Sequence, residues 1–321
     1  MAEAKHVPGV IGLGIMGRRM ITNLIKHARF SNPRAWDPDP RACADAVAET
    51  PGLIIMEGAD AVIAAADLVY IATPPLWHRD YGERAMAAGK PVYSEKPLGI
   101  DVADSRALVA ALEKNHTPNV VNFIQAASRA VTLTEERIVS GALGDIMGAD
   151  IIVHFARWPR EWQADADWLR FRDQGGYSRE VLSHFLYVTQ RLLGPATLLS
   201  AKPVYPADPE LCETHISATL DCNNVPVSVL GSSGGAGPDR VEMTVWGTRR
   251  SHRLHDWFLL QSSDGGEWQQ EFAEVKDPRA EAFGFQLDHV AAWLEGRAHA
   301  LPSARDALMV QELIEAMLAG D

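Results

Sequence analysis

The opening third of the chain alternates short apolar runs with segments whose apolar residues recur every three or four positions. Val7–Leu13 predicts a short buried strand, and Met16, Met20, Leu24 and Ile25 then fall on one face of a helix. Arg34–Trp36 predicts a second strand, closed by the proline-broken run Asp37-Pro38-Asp39-Pro40. A helix over Arg41–Glu49, an extended stretch over Leu53–Met56 and a short helix over Ala61–Ala66 follow. Leu68–Ala72 is apolar without a break, as a strand covered on both faces must be, and Thr73-Pro74-Pro75 ends it. Next come a helix over Arg79–Ala88 stopped by Gly89, a strand at Pro91–Ser94, a helix at Asp104–Lys114 and a strand at Asn119–Phe123. Strands that alternate with helices predict a parallel, doubly wound sheet.

Beyond about Ala127 the rhythm changes. After a helix over Val131–Ser140, strand patterns succeed one another at Ile146–Ala156, Thr197–Lys202, His215–Asp221, Pro226–Ser232, Arg240–Trp246, Ser251–Leu260 and Glu267–Phe272. Only one helix, Ser178–Leu193, interrupts them, and helices at Ala282–Glu295 and Ser303–Leu318 close the chain. Successive strands without crossover helices predict a largely antiparallel sheet, so the expected class is α/β followed by α+β. The expected divisions are a Rossmann-type doubly wound domain over residues 1–127, an α+β domain over 128–302, and a terminal helix over 303–321 that returns to the first domain.

Composition narrows the function. A chain of 321 residues is long enough for two cores. Its net charge of -12 argues against a nucleic-acid partner, which is held largely by Lys and Arg. The three cysteines, Cys43, Cys212 and Cys222, form neither a metal knuckle nor an even disulfide set, which suits a reducing cytoplasm. No apolar window reaches the ~18 residues of a membrane span.

Gly12-Leu13-Gly14-Ile15-Met16-Gly17 fits G-x-G-x-x-G between the first strand and the first helix. There Gly12 permits a tight turn, Gly14 lets the backbone approach a pyrophosphate, and Gly17 lets the helix pack on the sheet. Asp37, twenty residues past Gly17, stands where a carboxylate can bond both ribose hydroxyls of an adenosine and repel a 2'-phosphate. NAD is therefore the expected cofactor, with NADP the alternative if Arg41 offsets that charge.

The fifth strand runs into Ser94-Glu95-Lys96-Pro97, a charged pair at the carboxyl edge of the sheet. This element, with Ile71-Ala72-Thr73-Pro74-Pro75-x-x-His78, Ala88-Gly89-Lys90-Pro91-Val92, Ser140-Gly141-x-x-Gly144 and Gly175-Gly176, resembles the glucose-fructose oxidoreductase/inositol dehydrogenase/MocA family. The resemblance implies an open-faced second sheet, a homodimer or homotetramer built on it, and a cis bond before Pro97. It also implies that Lys96 serves both nicotinamide ribose and substrate, and that Thr73, Pro74, His78 and Glu95 lie by the cofactor.

Family members carry an acid and a histidine in a D-x-x-x-H pattern, which Glu180 and His184 match with a longer acid. Four positions apart on a helix, both can bracket one substrate hydroxyl. Hydride loss from a carbinol releases a proton; His184 is the expected base, with Lys96 stabilising the oxygen and Tyr177 a weaker candidate. Trp158 and Trp162, in an Arg- and Trp-rich stretch, suit substrate stacking or a subunit interface. His252-x-x-His255-Asp256 lacks a further ligand, so no metal is expected.

Two rivals remain at this level. The run Ile11–Met20 also resembles the β-hydroxyacid dehydrogenases and their imine-reducing relatives, whose second domain is helical; the strand-rich second half opposes them, although imine reduction on the present fold stays open. A regulator that senses NAD(P) without turnover is the other.

Overall fold

The computed structural model describes residues 5–320. Contacts divide them into two units: residues up to Phe123 with Phe283–Leu308, and Ile124–Ala282 with residues from Met309 on. The helices Pro278–Leu294 and Ala304–Ala319 each contribute to both units.

The first unit is built on six parallel strands: β1 (Pro8–Ile11), β2 (Arg34–Trp36), β3 (Ile54–Ile55), β4 (Leu68–Ile71), β5 (Val92–Glu95) and β6 (Asn119–Asn122). Their order is β3-β2-β1-β4-β5-β6, reversing direction of growth beside β1, as in a doubly wound dinucleotide fold. The extended stretch read at Leu53–Met56 shrinks to the two residues of β3. Strands β1, β4 and β5 are buried along their whole length, which is why they read as unbroken runs. Register brings the strand ends together: Ile11 pairs with Trp36 and Ile71, and Ile71 with Ser94. The residues that follow, Gly12, Asp37, Thr73 and Lys96, therefore emerge along one edge. Two helices of this unit are sharply started by aspartates: Asp39 caps Pro40–Glu49, and Asp101 accepts from the amides of Ala103 and Asp104. Each such cap contributes about 1 kcal/mol.

The second unit carries an eight-stranded sheet of β7 (Ile146–Phe155), β8 (Ala196–Val204), β9 (His215–Cys222), β10 (Val225–Ser233), β11 (Arg240–Gly247), β12 (Ser251–His255), β13 (Leu259–Ser263) and β14 (Gln269–Glu271). The order is β14-β13-β12-β11-β7-β10-β9-β8, antiparallel throughout except for the central pair β7 and β10. Ser251–Leu260, read as one strand, is two: Asp256 and Trp257 adopt positive φ of 45° and 75° and fold the chain into a hairpin. One sheet face is the core, with Ala149, Ile151, Val153, Phe155, Val227 and Val229 buried. The helices Arg129–Val139 and Ser183–Leu193 cover it, Thr134 bonding His252 of β12 and Thr189 reaching Met243 of β11. On the opposite face Leu230, Val204 and Trp246 are exposed.

The helix predicted over Ser178–Leu193 begins differently. Its first turn, Ser178–Leu182, is a π-helix, the amide of Ser183 donating to the carbonyl of Ser178, and regular α-helix starts at Ser183. No helix among the described residues is long and apolar enough to cross a membrane.

Candidate active site

The glycine loop fits a pyrophosphate for reasons visible in the backbone. Gly12 has φ +98°, and a Cβ there would meet the Ala72 backbone at 2.6 Å. A Cβ at Gly17 would lie 1.9 Å from the Gly12 carbonyl oxygen, whereas one at Gly14 would meet nothing within 4 Å. The helix Ile15–Lys26 begins at Gly14 without a side-chain cap or an acidic residue in its first turn. Its leading amides thus have no side-chain cap, and the space beside Gly14 is open, as an anion site requires. Ile15 and Met16 are half-buried beside that opening.

Asp37 is oriented by two backbone amides, accepting from Leu13 at 2.7 Å and from Asp39 at 2.8 Å. Its carboxylate is therefore fixed against the glycine loop. Arg41 is exposed, its amide donating to Asp39 at the helix cap. Along the same edge, the Thr73 side-chain oxygen is buried without a hydrogen-bond partner among the described residues, and Pro74 is exposed. Such an orphan oxygen, beside an open helix N-terminus and a fixed carboxylate, is what a dinucleotide would satisfy.

His78 ties two of the edge loops together. It is buried, with Nε2 2.8 Å from the Thr73 carbonyl and Nδ1 2.9 Å from the Pro97 carbonyl. Burial pulls its pKa down; the carbonyls oppose this and the nearby Lys96 ammonium adds to it. Lys96 is half-buried and joined to Pro97 by a cis bond, as the resemblance implies. Glu95 turns into the sheet, where Tyr70 donates to it and Asn122 Nδ2 donates at 2.6 Å. Gln286 extends this buried chain, donating to Asn122 at 2.6 Å and to the Tyr93 hydroxyl at 2.8 Å. Burial, then the charge of Glu95, pushes the Tyr70 phenol well up, so it stays a donor.

In the second unit Glu180 lies in the π turn and His184 in the first α turn. Gln163 Nε2 donates to Glu180 at 3.3 Å, and the ring of Trp257 stands against His184. The Arg160 guanidinium lies among Trp162, Phe155, Trp257 and Trp158, at 4.7, 5.1, 5.5 and 5.6 Å from their ring centres. Trp158 donates to the Leu169 carbonyl at 3.0 Å, and Trp162 is 47% exposed. Tyr177 is wholly buried against Phe155 and Trp158, so its hydroxyl opens onto no surface and the ring packs the core. The Gly175-Gly176 pair has its own reason: a Cβ on Gly176 would fall 2.5 Å from the buried Glu213 carboxylate, which accepts from the Ser178 amide at 2.8 Å.

Residues 8–123 match the model of the glucose-fructose oxidoreductase/inositol dehydrogenase/MocA group, described as an oxidoreductase family with an NAD-binding Rossmann fold. That match lies within the first unit. An uncharacterized oxidoreductase of Streptococcus pneumoniae is 28% identical over 190 residues, 58% of this chain and 50% of that protein. An inositol 2-dehydrogenase of Rhizobium meliloti is 26% identical over 230 residues, 70% of this chain and 65% of its own length. The chain thus spans about half to two-thirds of the length of those relatives. A crystal structure of an Agrobacterium radiobacter oxidoreductase, in complex with NAD+, L-tartaric acid and magnesium, superposes with TM-score 0.84 at 18% identity. That likeness covers 98% of this chain and 97% of the other, and shows that both units share its fold.

The sequence singled out Gly12, Gly14, Gly17, Asp37, Thr73, His78 and Lys96, and the first unit brings them to one sheet edge. It likewise singled out Trp158, Trp162, Glu180 and His184, which the second unit gathers. Tyr70, Asn122, Gln286, Gln163 and Trp257 were missed. A polar Asn122 inside Asn119–Phe123 is the one sequence sign of the buried chain at Glu95.

Proposed function

We propose that the protein is an NAD-dependent dehydrogenase that interconverts a secondary alcohol and a ketone on a sugar, cyclitol or similar polyol. The observation that carries this reading is the uncapped helix start at Gly14–Gly17 with the amide-held carboxylate of Asp37 beside it. The inositol specificity named for the Rhizobium meliloti relative supports the substrate class. So does the tartaric acid named in the Agrobacterium radiobacter structure, a compound with vicinal hydroxyls.

The amides after Gly14 would hold the pyrophosphate, Asp37 the adenosine ribose, and Thr73 and Lys96 the nicotinamide half. A dinucleotide bound there supplies or accepts the hydride. His184 takes the hydroxyl proton on oxidation and returns it on reduction, while Lys96 polarises the substrate oxygen and Glu180 orients it. Asp37 makes NAD the preferred form, because its charge opposes a 2'-phosphate. The exposed sheet face around Val204, Leu230 and Trp246 is the surface on which we place a second copy of the chain. Cys43, Cys212 and Cys222 are unpaired, in keeping with a cytoplasmic setting.

The test is a panel of inositols, sugars, hydroxy acids and imines, each followed at 340 nm with NAD and NADP, alongside calorimetric titration of both cofactors. Tight NAD binding with turnover of a polyol is the expected result. Tight binding with no turnover of any class would replace the enzyme by a cofactor-sensing protein.

A further inference from the structure

Gln163 is 98% removed from solvent, an unusual place for an amide that no motif requires. Its oxygen accepts from Arg160 twice, at 2.9 Å from the guanidinium Nε and 3.3 Å from the backbone amide. Arginine offers only donors, so the oxygen must be the end facing it and the amide nitrogen the end facing away. That nitrogen meets Glu180 at 3.3 Å. Arg160 is itself hemmed by four aromatic rings, one of which, Trp257, abuts His184. A circuit results, running Glu180, Gln163, Arg160, Trp257, His184, and closing through the helix that carries both ends.

The geometry points to Gln163 as a positioning residue: locked by Arg160, it holds one carboxylate oxygen of Glu180 and so fixes the acid that shares a helix with His184. The inference rests on the proposed dehydrogenase reading, in which Glu180 orients the substrate oxygen. It adds the reason that Glu180, a methylene longer than the aspartate of the family pattern, needs a second anchor: the extra torsion has to be frozen by a partner outside the helix. Orientation of this kind acts on turnover more than on binding, since small displacements of a reacting group cost rate steeply.

Gln163→Glu separates the two contacts. The carboxylate still accepts from Arg160, so the Arg160 cluster survives, but it has nothing to donate to Glu180 and repels it. The full chain is compared as wild type, Gln163→Glu and Gln163→Met, with crystal structures, thermal melts and steady-state kinetics on the best substrate of the panel. Expected are a displaced Glu180 carboxylate with Arg160 still bound at position 163 in Gln163→Glu, and a kcat lowered about 10- to 100-fold with NAD affinity unchanged. A Gln163→Glu protein whose Glu180 stays in place, or whose kcat equals wild type, overturns the assignment and leaves Gln163 as a support for Arg160 alone. Gln163→Met should match Gln163→Glu in kcat if it folds; the crystal structures decide even if no substrate is turned over, so a failure of the enzymatic reading is seen separately.

Discussion

The indole of Trp257 stands edge-on to the imidazole of His184, ring centres 5.7 Å apart and planes at 83°. Trp257 reaches that position from a hairpin tip at φ +75°, a strained value for a bulky residue, with its carbonyl held by Gln125 at 2.9 Å. His184→Ala should lower kcat ~10²- to 10⁴-fold while leaving NAD affinity within twofold. Trp257→Ala should lower kcat about tenfold by loosening the imidazole, and Trp257→Phe should recover most of it. Steady-state kinetics with calorimetric cofactor titration check all three.

The loop glycines should separate binding from folding. A methyl at Gly14 enters open space, so Gly14→Ala should melt within about 0.5 kcal/mol of wild type yet bind NAD at least tenfold more weakly. A methyl at Gly17 collides with the Gly12 carbonyl, so Gly17→Ala should lose about 1–3 kcal/mol of stability as well. Urea melts and NAD titrations on the two variants distinguish these outcomes.

Asp37→Asn keeps an oxygen for the Leu13 amide and removes the charge. Like charges about 4 Å apart near a surface interact by about 4 kcal/mol, an upper limit here. The ratio of NAD to NADP affinity should fall about 10- to 100-fold, read by titration with each cofactor.

His252 should make stability depend on pH. Thr134 spends its hydroxyl hydrogen on the Ala130 carbonyl, so His252 Nδ1 must donate to Thr134, and Nε2 then accepts from Arg137. Only the neutral ring meets both demands. Burial, reinforced by Arg137, brings its pKa down to about 4 from an ordinary 6.5. Between those values the unfolded chain binds the extra proton, so stability rises with pH there. This residue should cost the fold on the order of 1 kcal/mol for each unit that pH drops from 6.5 toward 4. In urea melts across that range, His252→Asn should flatten the slope.

Much of the nucleotide unit was legible because its demands are local: Gly12 must take positive φ, Gly17 must be bare, and Asp37 follows the second strand. Glu180 and His184 were singled out by their likeness to the D-x-x-x-H pattern, since an i, i+4 spacing by itself is common on helices. The widened turn beneath them was not, since it depends on the Ser183 amide choosing Ser178, a choice settled by packing. The break in Ser251–Leu260 was passed over because Asp256 and Trp257 turn the chain without glycine or proline, Asp256 being the one turn-favouring residue there. Gln163 and Trp257 were hidden for a different reason. Each meets its partner only through tertiary structure, 17 and 73 positions away from Glu180 and His184, respectively.

The parallel seam between β7 and β10 bears on how this half of the molecule acquires its shape. Neighbours such as β12 with β13 can zip up from a tight bend, but Ile151 finds Val229 only after the chain has made an excursion of nearly eighty residues and come back. That excursion contains Trp158, Gln163, Glu180 and His184. Closing so large a loop is entropically expensive and is repaid late, so refolding of this sheet should be slow relative to its hairpins. Trp158, Gln163, Glu180 and His184 should therefore gain hydrogen-exchange protection later in refolding than the β12–β13 hairpin does.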